Sequence, residues 1–414
     1  MGKSWLPLLA FLVLWKIVPN EAAITVGGGV GIGIGNGGGV VGGGGVWIGG
    51  GIGNSQTPPS GPWVSKLSAA YTALQAWKSA ITDDPLGILK TWVGSDVCAY
   101  KGLFCAMDSD SETFVAAIDL NHANLQGILV GELSVLTDVS IIHLNSNQFS
   151  GTVPDTFRGL SSLQELDLSN NHLSGSFPRV TLYIPNLVYL DLRFNSFSGP
   201  IPQDLFNKGL DAIFLNNNQF EGEIPQNLGS SPASVINLAN NKFSGNIPAS
   251  FGFASSKLKE ILLLNNQLTG CIPQGVGVFS EMQVLDVSHN SLMGHLPDTI
   301  SCLTDIEVLN LAHNQLSGEL PDLVCSLRNL INLTAAYNFF SGFSQECSKL
   351  FIGNAGLDLS LNCIPGRDMQ RPQPECSVIP GSGLSCLRIP AAQPLVCGAL
   401  LGNLEANLTS SSPP

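Results

Sequence analysis

The sequence predicts an α/β repeat protein, a right-handed leucine-rich-repeat solenoid of about ten repeats with an N-terminal helical cap and a cysteine-rich C-terminal tail. Three observations predict this fold. A leucine- and asparagine-rich phrase recurs about every 24 residues, an amphipathic segment with a short cysteine loop precedes it, and further cysteines follow it. Such a regular period is typical of solenoids, because each repeat buries its apolar side chains against its neighbours.

One asparagine per repeat marks the period, and we call these residues the asparagine ladder. Successive members are 23 to 25 residues apart, and Ala123 occupies the first of the ten positions. The ladder comprises Asn147, Asn171, Asn195, Asn218, Asn241, Asn266, Asn290, Asn314 and Asn338. Apolar residues three and five positions before each asparagine alternate as in a strand and should face the core. The asparagine amide both donates and accepts hydrogen bonds, so we expect it to bond the backbone of the turn.

The N-terminus is predicted to direct secretion. Residues 1–23 read as a signal peptide, because an apolar run from Trp5 to Val18 follows Lys3. Residues 24–62 read as a flexible linker, since residues 27–53 contain 17 glycines. No later run of about 18 apolar residues follows, so we expect no membrane span.

Residues 63–113 are predicted to form the N-terminal cap. Apolar residues from Leu67 to Trp77 recur at three- and four-residue steps, which indicates one face of a helix that ends near Pro85. Cys98 and Cys105 are seven residues apart and are candidates for a disulfide in the loop that follows. The repeats are assigned to residues 114–345.

Ten cysteines in a predicted secreted chain favour disulfides. Cys271 and Cys302 are expected to bridge adjacent turns, and Cys325 and Cys347 to clamp the end of the repeats. Residues 346–397 are assigned to a C-terminal cap and cysteine-rich hinge, and residues 398–414 to a disordered tail. The hinge contains Cys363, Cys376, Cys386 and Cys397. These four allow three pairings, of which we favour local ones.

The charge balance favours a basic partner. The chain has 18 Lys plus Arg against 31 Asp plus Glu, a net charge of −13, which argues against nucleic acid and anionic lipid as partners. Strand alternation turns the residues two, four and six positions before each ladder position toward the predicted concave face. The candidate peptide-binding residues there are Asp119, Glu165, Asp167, Tyr189, Asp191, Arg193 and Phe214. Carboxylates beside aromatic rings are frequent in binding hot spots, although an ordinary solvated sheet face is the alternative interpretation.

Other kinds of site leave fewer signals. Asn332-Leu-Thr334 and Asn407-Leu-Thr409 are N-glycosylation sequons, and a glycan on Asn332 would cover the last repeats. The six histidines show no metal-ligand spacing. We therefore predict no catalytic residue, metal or cofactor, and no enzymatic activity.

The repeat phrase Leu-x-Gly-x-Ile/Leu-Pro marks the plant-specific type of repeat. The cap motif from Trp92 to Cys105, the segments Ile118–Leu125 and Asn186–Asn195, and Asn362-Cys363-Ile-Pro-Gly resemble the plant leucine-rich repeat extensin-like family. The resemblance covers roughly residues 65–397. Family members continue into long Ser-Pro repeats, whereas this sequence ends at Ser410-Ser-Ser-Pro-Pro414. It resembles either a member that lacks the extensin domain or a truncated sequence.

The resemblance implies an extracellular cell-wall protein whose repeats bind small basic, disulfide-bonded peptides of the rapid alkalinization factor type. It further implies a role in wall formation and expansion, a homodimer, and an indirect association with pectin. Two alternatives remain open at this point: a defence protein similar to polygalacturonase inhibitors, and a structural wall glycoprotein.

Overall fold

The computed structural model describes residues 65–251, 257–343, 347, 356–381 and 386. The predicted signal peptide, the glycine-rich linker, the tail from residue 398, Cys397 and the Asn407 sequon lie outside the described residues. Strands and helices are numbered below in chain order.

The cap contains the predicted helix. Helix α1 spans Lys66–Ala80 and begins at Ser65, whose hydroxyl accepts a hydrogen bond from the backbone N–H of Ser68. Its buried residues include Leu74 and Trp77, as the spacing predicted. Trp77 then packs against the first repeats, with its ring 5.7 Å from that of Phe149.

Beneath the helix, two antiparallel pairs begin two parallel sheets. Strands β2 and β3 pair in the first sheet, and β1 and β4 pair in the second. All further pairings are parallel, with one strand of each sheet per repeat. The first sheet is β2 Leu103–Met107, β3 Thr113–Asp119, β5 Ile141–His143, β7 Glu165–Asp167, β9 Tyr189–Asp191, β11 Ala212–Phe214, β13 Val235–Asn237, β15 Glu260–Leu262, β17 Val284–Asp286, β19 Val308–Asn310, β21 Asn332–Thr334 and β23 Gly356–Asp358. The second sheet is β1 Ile81–Asp83, β4 Gln126–Ile128, β6 Gln148–Gly151, β8 His172–Ser176, β10 Ser196–Gly199, β12 Gln219–Glu223, β14 Lys242–Asn246, β16 Gln267–Gly270, β18 Ser291–His295, β20 Gln315–Leu320 and β22 Phe339–Phe343.

Short helical turns connect the two sheets. Two of them are α2 Asp204–Asn207 and α3 Asp322–Cys325, whereas a further short helix, α4 Gln373–Cys376, follows the last strand. The 3-10 turns are Ile88–Thr91, Val97–Ala99, Gly131–Val135, Asp155–Gly159, Arg179–Tyr183, Gln226–Ser230, Gln274–Val278 and Asp298–Cys302. The core lies between the sheets and these turns, and inward residues such as Leu166 and Leu190 have no exposed surface.

The asparagine ladder forms the expected hydrogen bonds. The Asn171 side-chain amide donates to the carbonyls of Leu144, Leu168 and Ser169 at 2.9 to 3.1 Å. Its oxygen accepts from the backbone N–H of Phe149 in the preceding repeat at 2.9 Å. Each ladder side chain therefore ties its own turn to the repeat before it.

The repeats extend farther than the sequence interpretation placed them. Strand β23 pairs with β21, and Asn362 accepts a hydrogen bond from the backbone of Phe340 and donates to the carbonyl of Ala335. Gly366, four residues later, has the positive φ of 73° that the glycines of earlier repeats adopt. Asn362 is thus a further ladder position, within residues that had been assigned to the cap and hinge. The cysteine-rich sequence that follows it obscured the phrase.

Two predicted disulfides are confirmed and one is wrong. Cys98 bonds Cys105 and Cys325 bonds Cys347. Cys271 bonds Cys386 rather than Cys302, which is itself disulfide-bonded. Cys271 follows β16 beside β18, whereas Cys302 ends the 3-10 turn that follows β18, so the two cysteines lie at different places in their repeats.

Of the two hinge disulfides among the described residues, one is local and one is not. Cys363 bonds Cys376, as local pairing predicts, but Cys386 returns across 115 residues to Cys271. Cys386 lies against β18, where a side chain at Gly294 would collide with its sulfur. The disulfide to Cys271 therefore holds Cys386 beside the second sheet.

Candidate functional site

The candidate site lies on the outer face of the first sheet, which is the face predicted to be concave. Asp119, His143, Asp167, Asp191 and Phe214 occupy directly adjacent positions on five successive strands. We call these five residues the acidic row. The parallel register places them side by side, because neighbouring strands of a sheet are about 4.8 Å apart.

Glu165 and Tyr189 form a second row beside the first. They pair directly across β7 and β9, two residues before Asp167 and Asp191. Leu166 and Leu190, which separate the two rows, are fully buried in the core. Strand alternation therefore brings the predicted carboxylates of three repeats together on one face.

Three of these carboxylates are half-buried and held in place. The backbone N–H of Asn121 donates to Asp119 at 3.1 Å, and that of Ser169 donates to Asp167 at 2.9 Å. Glu165 Oε2 lies 2.9 Å from His143 Nε2. Such fixed carboxylates are preorganised acceptors for N–H groups and cations.

His143 responds to the acidic surroundings. Burial lowers the pKa of this imidazole, but the hydrogen bond to Glu165 and the charges of Asp167, Glu165 and Asp119 outweigh burial and raise it above its ordinary value. When it is protonated, the imidazole compensates one of the three half-buried carboxylates. The Asp119 and Asp167 carboxylates form no salt bridge with a lysine or arginine among the described residues.

Asp191 and Phe214 are buried, which corrects the expectation that they are outward-facing and accessible. The Asp191 side chain has no exposed surface, and Phe214 is 5% exposed. Arg193 Nε lies 3.0 Å from Asp191 Oδ2, the Tyr189 hydroxyl donates to the same oxygen at 3.3 Å, and the guanidinium lies 5.2 Å from the Phe214 ring centre. Tyr189 and Arg193 are half-buried, so these two residues are accessible at this part of the face, whereas Asp191 and Phe214 are not.

The environment of Asp191 makes it a weak acid. Burial and then the charge of Asp167 raise the pKa of its carboxyl to about 8, although Arg193 and hydrogen bonds from the Arg193 backbone and Tyr189 favour the ionised form. Burial is also the main cause of the raised pKa of the Tyr189 hydroxyl. The buried Asp191 carboxyl thus holds Tyr189 and Arg193 in place, and Asp191 does not itself face a ligand.

A cavity of about 330 Å³ adjoins Asp119 at the cap end of the face. Leu86, Lys101, Phe104 and Ala123 are among the residues that line it. The sequence analysis did not predict that Lys101 and Phe104 line a cavity. Ala123 was a signal of this cavity, since it replaces a ladder asparagine there.

The first glycosylation sequon lies on the same face. Asn332 is half-buried on β21, and its side-chain oxygen accepts a hydrogen bond from the Thr334 hydroxyl at 3.0 Å. Occupancy by a glycan stays a prediction.

Three models of known families match the chain, in five segments. Residues 68–106 match the leucine rich repeat N-terminal domain, and residues 137–197 match a leucine rich repeat model. A further leucine rich repeat model matches residues 234–254, 281–303 and 305–327. These matches agree with the helical cap and the repeats of the structure.

Two relatives from Arabidopsis thaliana are similar in sequence to large parts of the chain. Leucine-rich repeat extensin-like protein 7 is 62% identical over 226 residues, which are 54% of this chain and 52% of that protein. Pollen-specific leucine-rich repeat extensin-like protein 2 is 66% identical over 154 residues, which are 37% of this chain and 18% of that protein. The chain is homologous to the leucine-rich repeat extensin-like proteins. It spans about half the length of the first of these relatives and less of the second.

Among solved structures, the receptor kinase HAESA of Arabidopsis, in complex with the peptide hormone IDA and the co-receptor SERK1, has the same fold. Its TM-score is 0.61 at 29% identity, over 71% of this chain and 50% of that chain. The repeats of this extensin-like homologue thus share the architecture of a plant peptide-receptor ectodomain.

Two further observations concern the disulfides and the helices. The described disulfides fit an extracellular protein. Within the described ranges, none of the helices combines the length and apolarity needed to cross a bilayer.

Proposed function

We propose that this chain is a secreted cell-wall protein that binds small basic, disulfide-bonded peptides of the rapid alkalinization factor type on the outer face of its first sheet. Through this binding it modulates the formation and expansion of the wall. The observation that carries the proposal is the cluster of Asp119, Glu165 and Asp167, which are fixed on one face and are not paired with any lysine or arginine of the described residues.

The electrostatics support a cationic ligand. Half-buried carboxylates attract a basic partner over a longer range than solvated ones, because less water screens them. Tyr189 and Arg193 border the cluster and are residue types that are enriched where interfaces gain most of their binding energy. Binding of a basic peptide would also neutralise part of the net charge of −13.

The relatives support binding in general. The HAESA structure contains a peptide hormone, and an elongated sheet face suits an extended or small folded peptide. A homodimer, an indirect association with pectin and a glycan at Asn332 belong to the same proposal.

A direct binding assay tests the proposal. The purified chain would be immobilised and exposed to a synthetic, disulfide-bonded peptide of the rapid alkalinization factor type, and to the same peptide with its lysines and arginines replaced by glutamine. We expect specific binding of the basic peptide and at least about tenfold weaker binding of the neutral one. If the protein retained both peptides equally, or retained neither peptide, the acidic face would not select basic ligands.

A further inference from the structure

Glu260 is a buried carboxylate that the protein leaves without a partner. The residue is 3% exposed, and its Oε1 atom is fully buried with no hydrogen-bond donor among the described residues. An ionised carboxylate in such a place usually has a partner, because the loss of water otherwise costs several kcal/mol.

The Glu260 side chain lies on the same side of the first sheet as the acidic row. Glu260 begins β15 and pairs directly with Val235 on β13 and Val284 on β17. Ile261, which follows it, points into the core and has no exposed surface. Glu260 therefore lies on the outer face between two valines, three repeats beyond Tyr189 along the same row.

Among the described residues, no lysine or arginine forms a salt bridge with Glu260. Burial, and then the charge of Glu307, raise the pKa of the Glu260 carboxyl to about 7. By contrast, Asp286 on the neighbouring strand accepts hydrogen bonds from Ser288 and from the Asn310 amide. The two carboxylates thus differ in that one is satisfied within the fold and the other is not.

We propose that Glu260 is an anchoring subsite for one lysine or arginine side chain of the bound peptide. The cationic group would bind the carboxyl through the small part of the residue that is exposed, and the aliphatic stem would pack on the half-buried Leu262 and on the exposed edges of Val235 and Val284, since long basic side chains bury their methylene groups on apolar surface. The apolar walls strengthen the charge-assisted hydrogen bond by keeping water away. This inference rests on the proposed peptide binding and adds a second point of contact, distant from Asp119, Glu165 and Asp167.

The test compares Glu260→Gln with Glu221→Gln, which removes the same charge from an exposed position on β12 of the second sheet. Glu260→Gln removes a buried carboxylate that has no donor, so we expect it to fold at least as stably, which thermal unfolding would verify. Affinities would be measured at about pH 8, where Glu260 is ionised, with the basic peptide and with single substitutions of its lysines and arginines by neutral residues.

We expect Glu260→Gln to weaken the peptide about tenfold and Glu221→Gln to leave it unchanged. One substitution in the peptide should cause the same loss in the wild type and no further loss in Glu260→Gln. Additive losses at every position, or wild-type affinity in Glu260→Gln, would overturn the subsite while peptide binding stands.

A second probe separates failure of the subsite from failure of the proposed function. If the wild type does not bind the peptide, the proposed function is wrong, and N-acetylarginine methylamide then tests the subsite by NMR. Shifts at Val235 and Val284 that appear in the wild type and vanish in Glu260→Gln would support it. If the probe caused the same shift changes in both proteins, the subsite would be overturned.

Discussion

The Arg193 guanidinium lies 3.0 Å from the Asp191 carboxylate, whose side chain has no exposed surface. The same guanidinium lies over the Phe214 ring, 5.2 Å from its centre. One side chain therefore compensates a buried acid, packs on a buried aromatic ring and remains partly exposed on the acidic face. Four predictions concern the fold and the buried acid, and the last concerns binding.

Removal of Arg193 should destabilise the fold most at high pH. At about pH 9, where Asp191 is ionised, we expect Arg193→Ala to lower the free energy of unfolding by about 3 kcal/mol, because a buried charge loses its partner. The double variant Arg193→Ala, Asp191→Asn should recover most of this loss. Urea unfolding measures both.

Arg179 provides the matched control. Its guanidinium lies 3.0 Å from Asp204, and both side chains are more than half exposed, at 58% and 63%. Arg179→Ala should change the free energy of unfolding by less than about 1 kcal/mol. Similar losses for Arg193→Ala and Arg179→Ala would contradict the role assigned to the buried pair.

The raised pKa of Asp191 makes stability depend on pH. The folded carboxyl holds its proton up to about pH 8, whereas the ordinary value is 3.8, so the folded state binds protons more tightly than the unfolded state. The stabilisation from this proton is fully present below about pH 4 and is lost as the pH rises through about 8. The difference in unfolding free energy between the wild type and Asp191→Asn should therefore fall across this window. A difference that stays constant from about pH 5 to about pH 9 would rule out the shift.

The asparagine ladder should contribute strongly to stability. Asn171→Ala removes one acceptor and leaves three carbonyls without the amide donor, at a position that is 6% exposed. We expect a loss of about 3 kcal/mol in unfolding free energy. Gln219→Ala removes an exposed amide and should change it by less than about 0.5 kcal/mol. Equal effects of the two variants would show that the ladder bonds are replaced by water.

The tail disulfide can be detected directly. Proteolysis without reduction, followed by mass spectrometry, should recover a fragment that joins Cys271 to Cys386. Because this bond closes a long loop of 115 residues, the double variant Cys271→Ser, Cys386→Ser should lower the unfolding midpoint. Recovery of Cys271 joined to Cys302 would restore the pairing expected from the sequence and refute the returning tail.

The sequence was sufficient for features that recur. The period located the strands, the inward leucines and the ladder, because each repeat satisfies the same backbone groups in the same way. Alternation also placed Asp119, Glu165 and Asp167 on one face correctly. The cap helix and the Cys98–Cys105 bond followed from local spacing.

Features that depend on the path of the chain or on neighbouring side chains were not accessible from the period. Alternation gives the side of the sheet but not the exposure, so the burial of Asp191 beside Tyr189 and Arg193 was missed. The partner of Cys271 depends on where the tail returns, which no local pattern encodes. Asn362 was missed because cysteine and proline follow it where earlier repeats continue with the usual phrase.

The central claim is that the acidic face of the first sheet binds basic peptides. The most direct measurement is the affinity of a rapid alkalinization factor type peptide, at two salt concentrations, for three proteins. These are the wild type, the triple variant Asp119→Asn, Glu165→Gln, Asp167→Asn, and a control with Glu221→Gln and Glu223→Gln, which removes two exposed carboxylates from β12 of the second sheet. We expect the triple variant to bind at least about tenfold more weakly and to lose most of the salt dependence. The reason is that it lacks the three carboxylates that attract the peptide in the wild type. The control should bind as the wild type does, and equal affinities for the wild type and the triple variant at both salt concentrations would contradict the account.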